Sequence, residues 1–400
     1  MASTKRLMRR GRRSPLQRFS VIAVVLGIVV VSVTNDAVAW GHSRRDSAHV
    51  FHASSGIATS SLPQRSTHAT VSTTTTVPMD TGGLIIAGPS RSRCLEPNLT
   101  GVGFAKLSAS ISAFEAKTHS VVTCVSAYLN GASTWTDWSH PWVASKRYGF
   151  STWVSAQPKT RQLVLGIDLI PTSLSNVKNP LLWEKTCAAG KYNAYATQMG
   201  RTLVAAKLGD SVLRLGPEMN GTWERDFIGF TAQEQRLWAQ CFANEVTSLR
   251  KVPGQKFLID WNPNACVEDI PFWRFYPGNQ YVDILGLDLF DQSCVAPYKV
   301  YTFEQLAHEP ASLSQFEKFA TAKGKPMSLP EWALSAVPLR DDPGYISGIG
   351  STVANGNFAF ESYFDFQTPE PLLGPKTPKS LVAFHKWFGS PPVRGSVIRS

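Results

Sequence analysis

The sequence predicts an α/β protein built as a (β/α)8 TIM barrel, and three observations support this fold class. Short apolar runs recur along the 400-residue chain after about residue 84, helical stretches separate them, and carboxylates stand near the ends of several runs. Parallel strands joined by helices bring their carboxyl ends to one face, where barrel proteins carry their functional side chains. We expect a single barrel domain at residues 84–400.

The first 39 residues predict export. Seven basic side chains precede or abut an apolar run of fifteen residues, Phe19 to Val33, and Ala37-Val38-Ala39 fits a cleavage site. The run is shorter than the roughly 20 residues that a membrane span needs. We expect a cleaved signal peptide at residues 1–39 and a secreted protein, with membrane contact only if the segment remains as an uncleaved anchor.

Residues 40–83 predict a disordered linker. The segment is rich in Ser and Thr, contains the run Ser72-Thr-Thr-Thr-Thr76, and has almost no apolar periodicity. Composition is compatible with a tether that holds the barrel at a cell surface and equally with an idle linker.

The charge of the chain argues against nucleic acid as a partner. Residues 1–39 hold seven basic side chains and one acidic one, so their removal lowers the formal charge from +11 to +5. That modest excess, without a block of Lys and Arg, is not typical of a nucleic-acid-binding protein.

The six cysteines predict disulfides in an exported chain. Fifteen pairings are possible, and pairing of neighbours would join Cys94 to Cys124, Cys187 to Cys241 and Cys266 to Cys294. Zinc is the weaker alternative, because CxxC and HExxH spacings are absent from the sequence. We expect no metal, no cofactor and a monomer.

Eight apolar runs are candidate strands, and four segments between them have helical spacing. The predicted strands are Gly101–Ala105, Val121–Leu129, Gln162–Ile170, Val212–Glu218, Lys256–Asn262, Val282–Asp291, Met327–Glu331 and Phe358–Asp365. The predicted helices are Asn193–Lys207, Ala232–Arg250, Phe303–Ala322 and Pro343–Ala354.

Polar residues of one parity lie among the apolar residues of these strands. Counting by twos places Arg214 on the same face as Glu218, and the same pattern holds for Asp168, Asp260 with Asn262, Asp288 and Glu331. Buried ionisable groups are costly unless they are paired, so their convergence predicts a site at the barrel mouth. The alternative is that some, Arg214 and Asp260 especially, form structural ion pairs beneath it.

Two glutamates at separate strand ends predict cleavage of a glycosidic bond. Glu218 stands in LRLGPEMNGTW, and Glu331 follows 113 residues later in MSLPEWAL. Glycosidases use one carboxylic acid to protonate the leaving oxygen and a second carboxylate to attack the sugar or to activate water.

The barrel segment, roughly residues 84–390, resembles glycoside hydrolase family 26, the family of β-mannanases and related endo-β-glycanases. The resemblance is carried by Arg214-Leu-Gly-Pro-Glu218-Met-Asn220-Gly-Thr-Trp223, by Asp283-Ile-Leu-Gly-Leu-Asp288-Leu-Phe290-Asp291 and by Pro330-Glu331-Trp332. It implies an acid/base on strand four and a nucleophile on strand seven, roles that fall on Glu218 and Glu331, in a retaining endo-β-glycosidase acting on a β-mannan-like polysaccharide.

Further residues are expected to bind or orient the sugar. Arg214 would keep Glu331 or Asp288 ionised, and Asn220 would bind a sugar hydroxyl. Trp223, Trp261 and Trp332 would offer stacking faces, with Trp135 and Trp138 extending them. Asp288 and Asp168 complete the expected substrate-binding set.

Two departures from the family pattern leave the substrate open. Pro217 stands where the family commonly has His, and Phe290 where it usually has Tyr, so Tyr363 is a hypothetical replacement for the lost hydroxyl. The alternatives are a non-catalytic carbohydrate-binding barrel, an inverting enzyme, or an enzyme of the same fold acting on xylan, mixed-linkage β-glucan or a bacterial surface polysaccharide.

Overall fold

A computed structural model of the chain describes residues 92–97, 99, 101–129, 132–175, 180–265, 270–291, 300–334, 339–365 and 373–389. The predicted signal peptide and linker lie outside the described residues, as do Cys266 and Cys294. Within the described part of the chain, no helix is both long and apolar enough to cross a membrane.

The described residues form a closed barrel of parallel strands, which confirms the predicted fold class. The strands are β1 Ser92–Glu96, β2 Cys124–Tyr128, β3 Gln162–Ile167, β4 Val212–Leu215, β5 Leu258–Trp261, β6 in two segments (Ile284–Gly286 and Leu289–Phe290), β7 Met327–Ala333 and β8 Phe358–Phe364. Each pairs with its neighbour in chain order, and β8 pairs with β1 to close the ring.

The first strand was predicted at the wrong place. Residues Gly101–Ala105 lead into a helix, and β1 is Ser92–Glu96 instead. Two charged residues, Arg93 and Glu96, interrupt the apolar pattern of this strand. Arg93 faces the surrounding helices and its Nε lies 3.0 Å from the Glu361 carboxylate on β8, so its charge is neutralised there.

Helices connect the strands on the outside of the barrel. They are α1 Phe104–Thr118, α2 Trp135–Ser139, α3 Phe150–Ala156, α4 Leu181–Ala188, α5 Asn193–Ala205, α6 Ala232–Arg250, α7 Phe303–His308, α8 Leu313–Lys323, α9 Pro343–Asn355 and α10 Pro378–Phe388. Short 3₁₀ turns lie at Trp142–Ala144, Lys146–Tyr148, Thr172–Leu174 and Phe272–Arg274.

One predicted helix, Phe303–Ala322, is two helices. The break between α7 and α8 lies at Glu309 to Ser312, where Glu309 is extended (φ −57°, ψ 153°) and Ala311 has a positive φ of 56°. Pro310 explains the break, because proline disfavours a helical conformation at the residue before it and cannot donate a helix hydrogen bond.

The barrel interior is layered from apolar to polar. Its lower layer is a separate apolar cluster: Cys94, Cys124, Val164, Val212, Leu258, Ile284, Ala359 and Phe360. Above it, side chains reach across an intervening strand, as in the hydrogen bonds Ser126 to Ser362 (2.7 Å) and Ser328 to Asp260 (2.8 Å). The apolar floor stabilises the barrel, while the polar layer supports the mouth.

Two of the predicted disulfides are present. Cys94 and Cys124 join β1 to β2 with their Cα atoms 4.3 Å apart, and Cys187 and Cys241 join α4 to α6 with a separation of 5.0 Å. Each closes a loop in the unfolded chain and thereby lowers its entropy, which is expected to contribute about 2–4 kcal/mol of stability.

Candidate active site

Glu331 is aimed into the mouth by an irregularity in β7. The pairing register with β8 shifts between Leu329 and Trp332, so that the extra residue of a bulge stands on β7. Pro330 fits this position because it has no N–H to donate to a sheet ladder. Trp332 consequently faces the helices, while the Glu331 side chain keeps a partly exposed carboxylate at the mouth, 11% accessible.

Tyr128, at the end of β2, holds Glu331. Its hydroxyl donates a hydrogen bond to Glu331 Oε2 and accepts one from Arg214 Nη1. A phenol has one proton, and here it is directed at the carboxylate. Sequence reasoning missed this residue and assigned the hydroxyl to Tyr363.

The prediction that Tyr363 supplies the missing hydroxyl is wrong. Its side chain is fully buried and packs between Trp332 and Phe384, with ring centroids 4.9 and 5.4 Å away. It lies on the helix-facing side of β8, away from the mouth.

Arg214 lies beneath the two acids as a buried cation. Its Nη2 donates to Asp288 Oδ2 at 2.7 Å, its Nε donates to Asn262 Oδ1 at 2.8 Å, and its Nη1 lies 3.7 Å from Glu331 Oε2. Burial alone would lower the pKa of Arg214, but Asp288, Tyr128 and Glu331 outweigh it and raise that pKa well above its usual value. The guanidinium therefore stays charged and supports a carboxylate at Glu331.

Glu218 lies in the turn after β4, three residues beyond the end of the strand. It has a positive φ of 53°, a conformation that non-glycine residues adopt at an energetic cost. The turn is held by Glu218 N donating to the Asn262 carbonyl at 2.8 Å and by Gly221 N donating to the Glu218 carbonyl at 2.7 Å. This geometry directs the carboxyl toward the mouth rather than along the strand.

The Glu218 carboxyl accepts two hydrogen bonds at its own end of the site. Trp223 Nε1 donates to Oε2 and Asn264 Nδ2 donates to Oε1, each at 2.6 Å. These bonds lower the pKa, but burial and the nearby Glu331 charge outweigh them and raise the pKa of Glu218 to about 7. Glu218 is therefore substantially protonated at neutral pH, as a general acid must be.

Burial raises the pKa of Glu331 above its usual value, and Arg214 and the hydrogen bond from Tyr128 offset only part of that rise. The two carboxyls thus have different environments: cation and phenol at Glu331, neutral amide and indole donors at Glu218. Environments that give two neighbouring carboxyl groups different pKa values are typical of a general acid and its partner carboxylate.

Gly166 on β3 makes room for Tyr128. A Cβ at this position would lie 2.5 Å from Tyr128 Cδ1, well inside van der Waals contact. We expect Gly166→Ala to displace the ring and lower kcat by about 10–100-fold, since an error near 1 Å in a catalytic arrangement has an effect of this size. Steady-state kinetics with thermal denaturation tests this. Gly101→Ala, whose Cβ would meet only Lys106 at 3.5 Å or more, is the control.

Two of the predicted stacking tryptophans are in the core. Trp261 packs against Phe275 and Tyr276, and Trp332 lies against Phe388, all outside the barrel wall. Each directly follows an inward-facing acid, so strand alternation turns it toward the helices. Neither can stack on a sugar, since both are fully buried.

The other predicted aromatic residues differ in their access to the mouth. Trp223 is partly exposed and bonded to Glu218, so it remains a candidate stacking face. Trp138 is buried and donates to the Asp168 carbonyl at 2.7 Å. Trp135 is partly buried and stacks on Tyr195, with ring centroids 4.4 Å apart.

Three predicted substrate ligands are buried supports instead. Asn220 bonds both main-chain groups of Asn264 (2.9 and 2.8 Å), which ties the turn after β4 to the segment after β5. Asp288 and Arg214 bond to one another and are 0% and 1% exposed. These side chains position the site from below. The fourth, Asp168, pairs with Arg225 at 2.8 Å and is slightly exposed.

Comparison with known proteins finds a family that part of this chain resembles. Residues 196–329 match the model described as Glycosyl hydrolase family 26, which confirms the resemblance predicted from the sequence. No match was found among curated proteins.

Three similar solved structures share the barrel fold. A GH26 β-mannanase from Bacteroides ovatus has a TM-score of 0.54 at 14% identity, over 78% of this chain and 90% of that one. The catalytic domain of a Bacillus sp. JAMB-750 GH26 endo-β-1,4-mannanase has 0.52 at 17%, over 77% and 88%. A modular endo-β-1,4-mannanase from Cellulomonas fimi has 0.51 at 17%, over 72% and 68%.

Proposed function

We propose that this glycoside hydrolase, whose central segment matches family 26, is a retaining endo-enzyme that cleaves a β-mannan-like polysaccharide. One observation carries the proposal: Glu331 contacts the Arg214 cation and the Tyr128 phenol, whereas the Glu218 carboxyl accepts hydrogen bonds from the neutral indole of Trp223 and amide of Asn264.

In the first step, the Glu331 carboxylate attacks the anomeric carbon while Glu218 transfers its proton to the departing glycosidic oxygen. Arg214 and Tyr128 favour the ionised form of Glu331 against the effect of burial, and they fix its carboxylate in position before attack. Pre-placed hydrogen bonds of this kind add to the rate because they need no reorganisation in the transition state.

In the second step, Glu218, now a carboxylate, removes a proton from water, and that water releases the sugar from Glu331. Trp223 and Asn264 keep the Glu218 carboxyl in place during both transfers. The pKa of Glu218 is expected to rise again when Glu331 is ionised and to fall while Glu331 is esterified, since the Glu331 charge is then absent.

The proposed substrate class is supported by the described activities of similar structures. The Bacteroides ovatus protein is described as a β-mannanase and the Bacillus protein as an endo-β-1,4-mannanase. The predicted export signal makes an extracellular polysaccharide the accessible substrate. Mannan is therefore the first polymer to test, ahead of xylan and mixed-linkage β-glucan.

The experiment is release of new reducing ends from these three polymers, with product lengths measured by chromatography. Release from mannan as a ladder of oligosaccharides supports the proposal. Binding without release on every polymer would support a non-catalytic barrel, and preference for another polymer would reassign the substrate. Proton NMR of the first-formed anomer distinguishes retention from inversion.

A further inference from the structure

We propose that Glu361 on β8 is a positioning residue of the active site, which binds the Trp332 indole and thereby holds the bulge of β7 that presents Glu331. The inference deepens the proposed function and rests on it. Glu361 lies between the inward-facing residues Phe360 and Ser362, so its own side chain is on the outer face of the barrel wall. It therefore acts on the site from behind rather than from the mouth.

The backbone that carries Glu331 has few fixed points within the sheet. Toward β8, the pairing register passes from Leu329 directly to Trp332, and toward β6 it passes from Ser328 to Trp332. Pro330 and Glu331 are therefore outside the regular pairing with both neighbouring strands. Trp332 is the first residue after the bulge that pairs on both sides, so its placement sets the direction in which Glu331 leaves the strand.

A buried carboxylate fixes the Trp332 side chain from behind the barrel wall. Trp332 Nε1 donates to Glu361 Oε2 at 2.8 Å, and Arg93 Nε on β1 lies 3.0 Å from the other carboxylate oxygen, Oε1. Arg93 also donates to the main-chain carbonyl of Phe388 at the end of α10. Trp332 is fully buried and Glu361 is 2% exposed, so water competes little for these bonds. A hydrogen bond to an ionised acceptor is about twice as strong as one between neutral groups.

Packing alone does not require this hydrogen bond, as Trp261 on β5 shows. Trp261 is equally buried, faces the helices and directly follows an inward-facing acid, Asp260, just as Trp332 follows Glu331. Its indole Nε1 has no hydrogen-bond partner among the described residues. The barrel therefore accommodates a tryptophan of this kind without an acceptor, and the carboxylate bound to Trp332 indicates a positional requirement beside Glu331.

Matched substitutions of the two tryptophans test this role. Trp332→Phe removes the indole donor but keeps an aromatic ring in the same place, so Glu331 should lose part of its alignment with Arg214 and Tyr128. We expect kcat on mannan to fall about 10–100-fold with KM little changed, the effect of a misplacement near 1 Å. Trp261→Phe removes a similar volume away from Glu331, so its kcat should stay within about threefold of wild type. Equal losses in the two variants would overturn the proposal, because lost packing would explain both.

The pH profile is a readout that a loss of stability alone would not move. Arg214 and Tyr128 lower the pKa of Glu331, so a misaligned Glu331 carboxylate should have a higher pKa. The acid limb of kcat/KM, which reports ionisation of Glu331, should therefore move to higher pH in Trp332→Phe and stay in place in Trp261→Phe. An unmoved acid limb in Trp332→Phe would contradict the inference.

A double substitution tests whether Glu361 acts through Trp332. Glu361→Gln keeps a neutral acceptor and breaks the ion pair with Arg93, so it should lower kcat by about 3–10-fold, less than full loss of the bond. In the Trp332→Phe background it should add little further loss, since both changes act along one path. Losses that multiply would give Glu361 an independent role and overturn the proposal. Thermal denaturation reports folding, and the two tryptophan variants remain decisive if Glu361→Gln does not fold.

Failure of the proposed function gives a different result. If the wild-type protein releases no reducing ends from any polymer, the function itself is wrong and this inference falls with it. If wild type is active and Glu218→Gln and Glu331→Gln are not, the function stands, and the comparison of Trp332→Phe with Trp261→Phe decides this inference alone.

Discussion

Replacing Glu331 with Gln is expected to lower kcat/KM on mannan by at least about 10⁴-fold, the scale seen when a covalent nucleophile is removed. Gln preserves the shape of the side chain and can still accept from Tyr128, but its amide oxygen cannot attack the anomeric carbon. Folding should be retained, because Arg214 keeps its buried ion pair with Asp288 at 2.7 Å when the Glu331 charge is removed. Initial rates of reducing-end release, with circular dichroism of both proteins, provide the measurement.

The small variant Glu331→Ala gives a sharper test of the role. Added azide can occupy the space left by the carboxylate and attack the sugar once, so an activated β-glycoside should yield a glycosyl azide of inverted configuration. Glu304→Gln, on the exposed surface of α7 with a side chain 82% accessible, is the matched control and should leave the rate unchanged. An azide product of retained configuration would assign Glu331 to acid/base chemistry and overturn the mechanism.

The positions of the two principal acids were predictable because they depend on local patterns. Parallel strands deliver residues at their carboxyl ends to one mouth, so Glu218 and Glu331 could be placed there by counting strands alone. The same alternation should have excluded Trp261, since Asp260 and Asn262 on either side of it were assigned to the inner face. A tryptophan next to an acidic residue in the sequence is therefore poor evidence for a sugar-binding surface.

The supporting residues could not be predicted in this way, because their roles depend on contacts between distant strands. Tyr128 contacts Glu331 across 203 positions of the chain, and its space depends on a glycine in β3. Nothing in the sequence near Tyr128 marks it as polar rather than core. Strand β1 was itself misplaced, since charged residues concealed its apolar alternation.

The bulge in β7 shows a further limit of pattern reading. An extra residue in a strand reverses which face each later side chain points to. Pro330 indicates such a bulge, because proline is tolerated at irregularities of a sheet. Similarly, the turn after β4 requires Glu218 itself to adopt a left-handed backbone conformation, which conformational preferences would not predict for glutamate. Both exceptions occur at the two catalytic candidates, where local conformational cost is compensated by surrounding contacts.

Replacing Glu218 with Gln is expected to lower kcat/KM on mannan by about 10²–10⁴-fold, the usual contribution of a general acid. The loss should be much smaller in the first step with a dinitrophenyl β-mannoside, because that leaving group departs without a proton. Stopped-flow release of dinitrophenol therefore separates the acid role from a structural one. A loss in the dinitrophenol burst rate as large as the loss in kcat/KM on mannan would contradict the assignment.

The pH dependence of the wild-type enzyme follows from the same residue. Only protonated Glu218 can donate, and its pKa is raised to about 7, so kcat/KM should fall as pH rises through about 7. The hydrogen bond from Trp223 lowers this pKa, so Trp223→Phe should move the alkaline limb to higher pH even though the aromatic face is retained. In Glu218→Gln, assayed on the activated substrate, that limb should disappear. An alkaline limb that persists there would belong to another group and would remove the evidence that Glu218 is the acid.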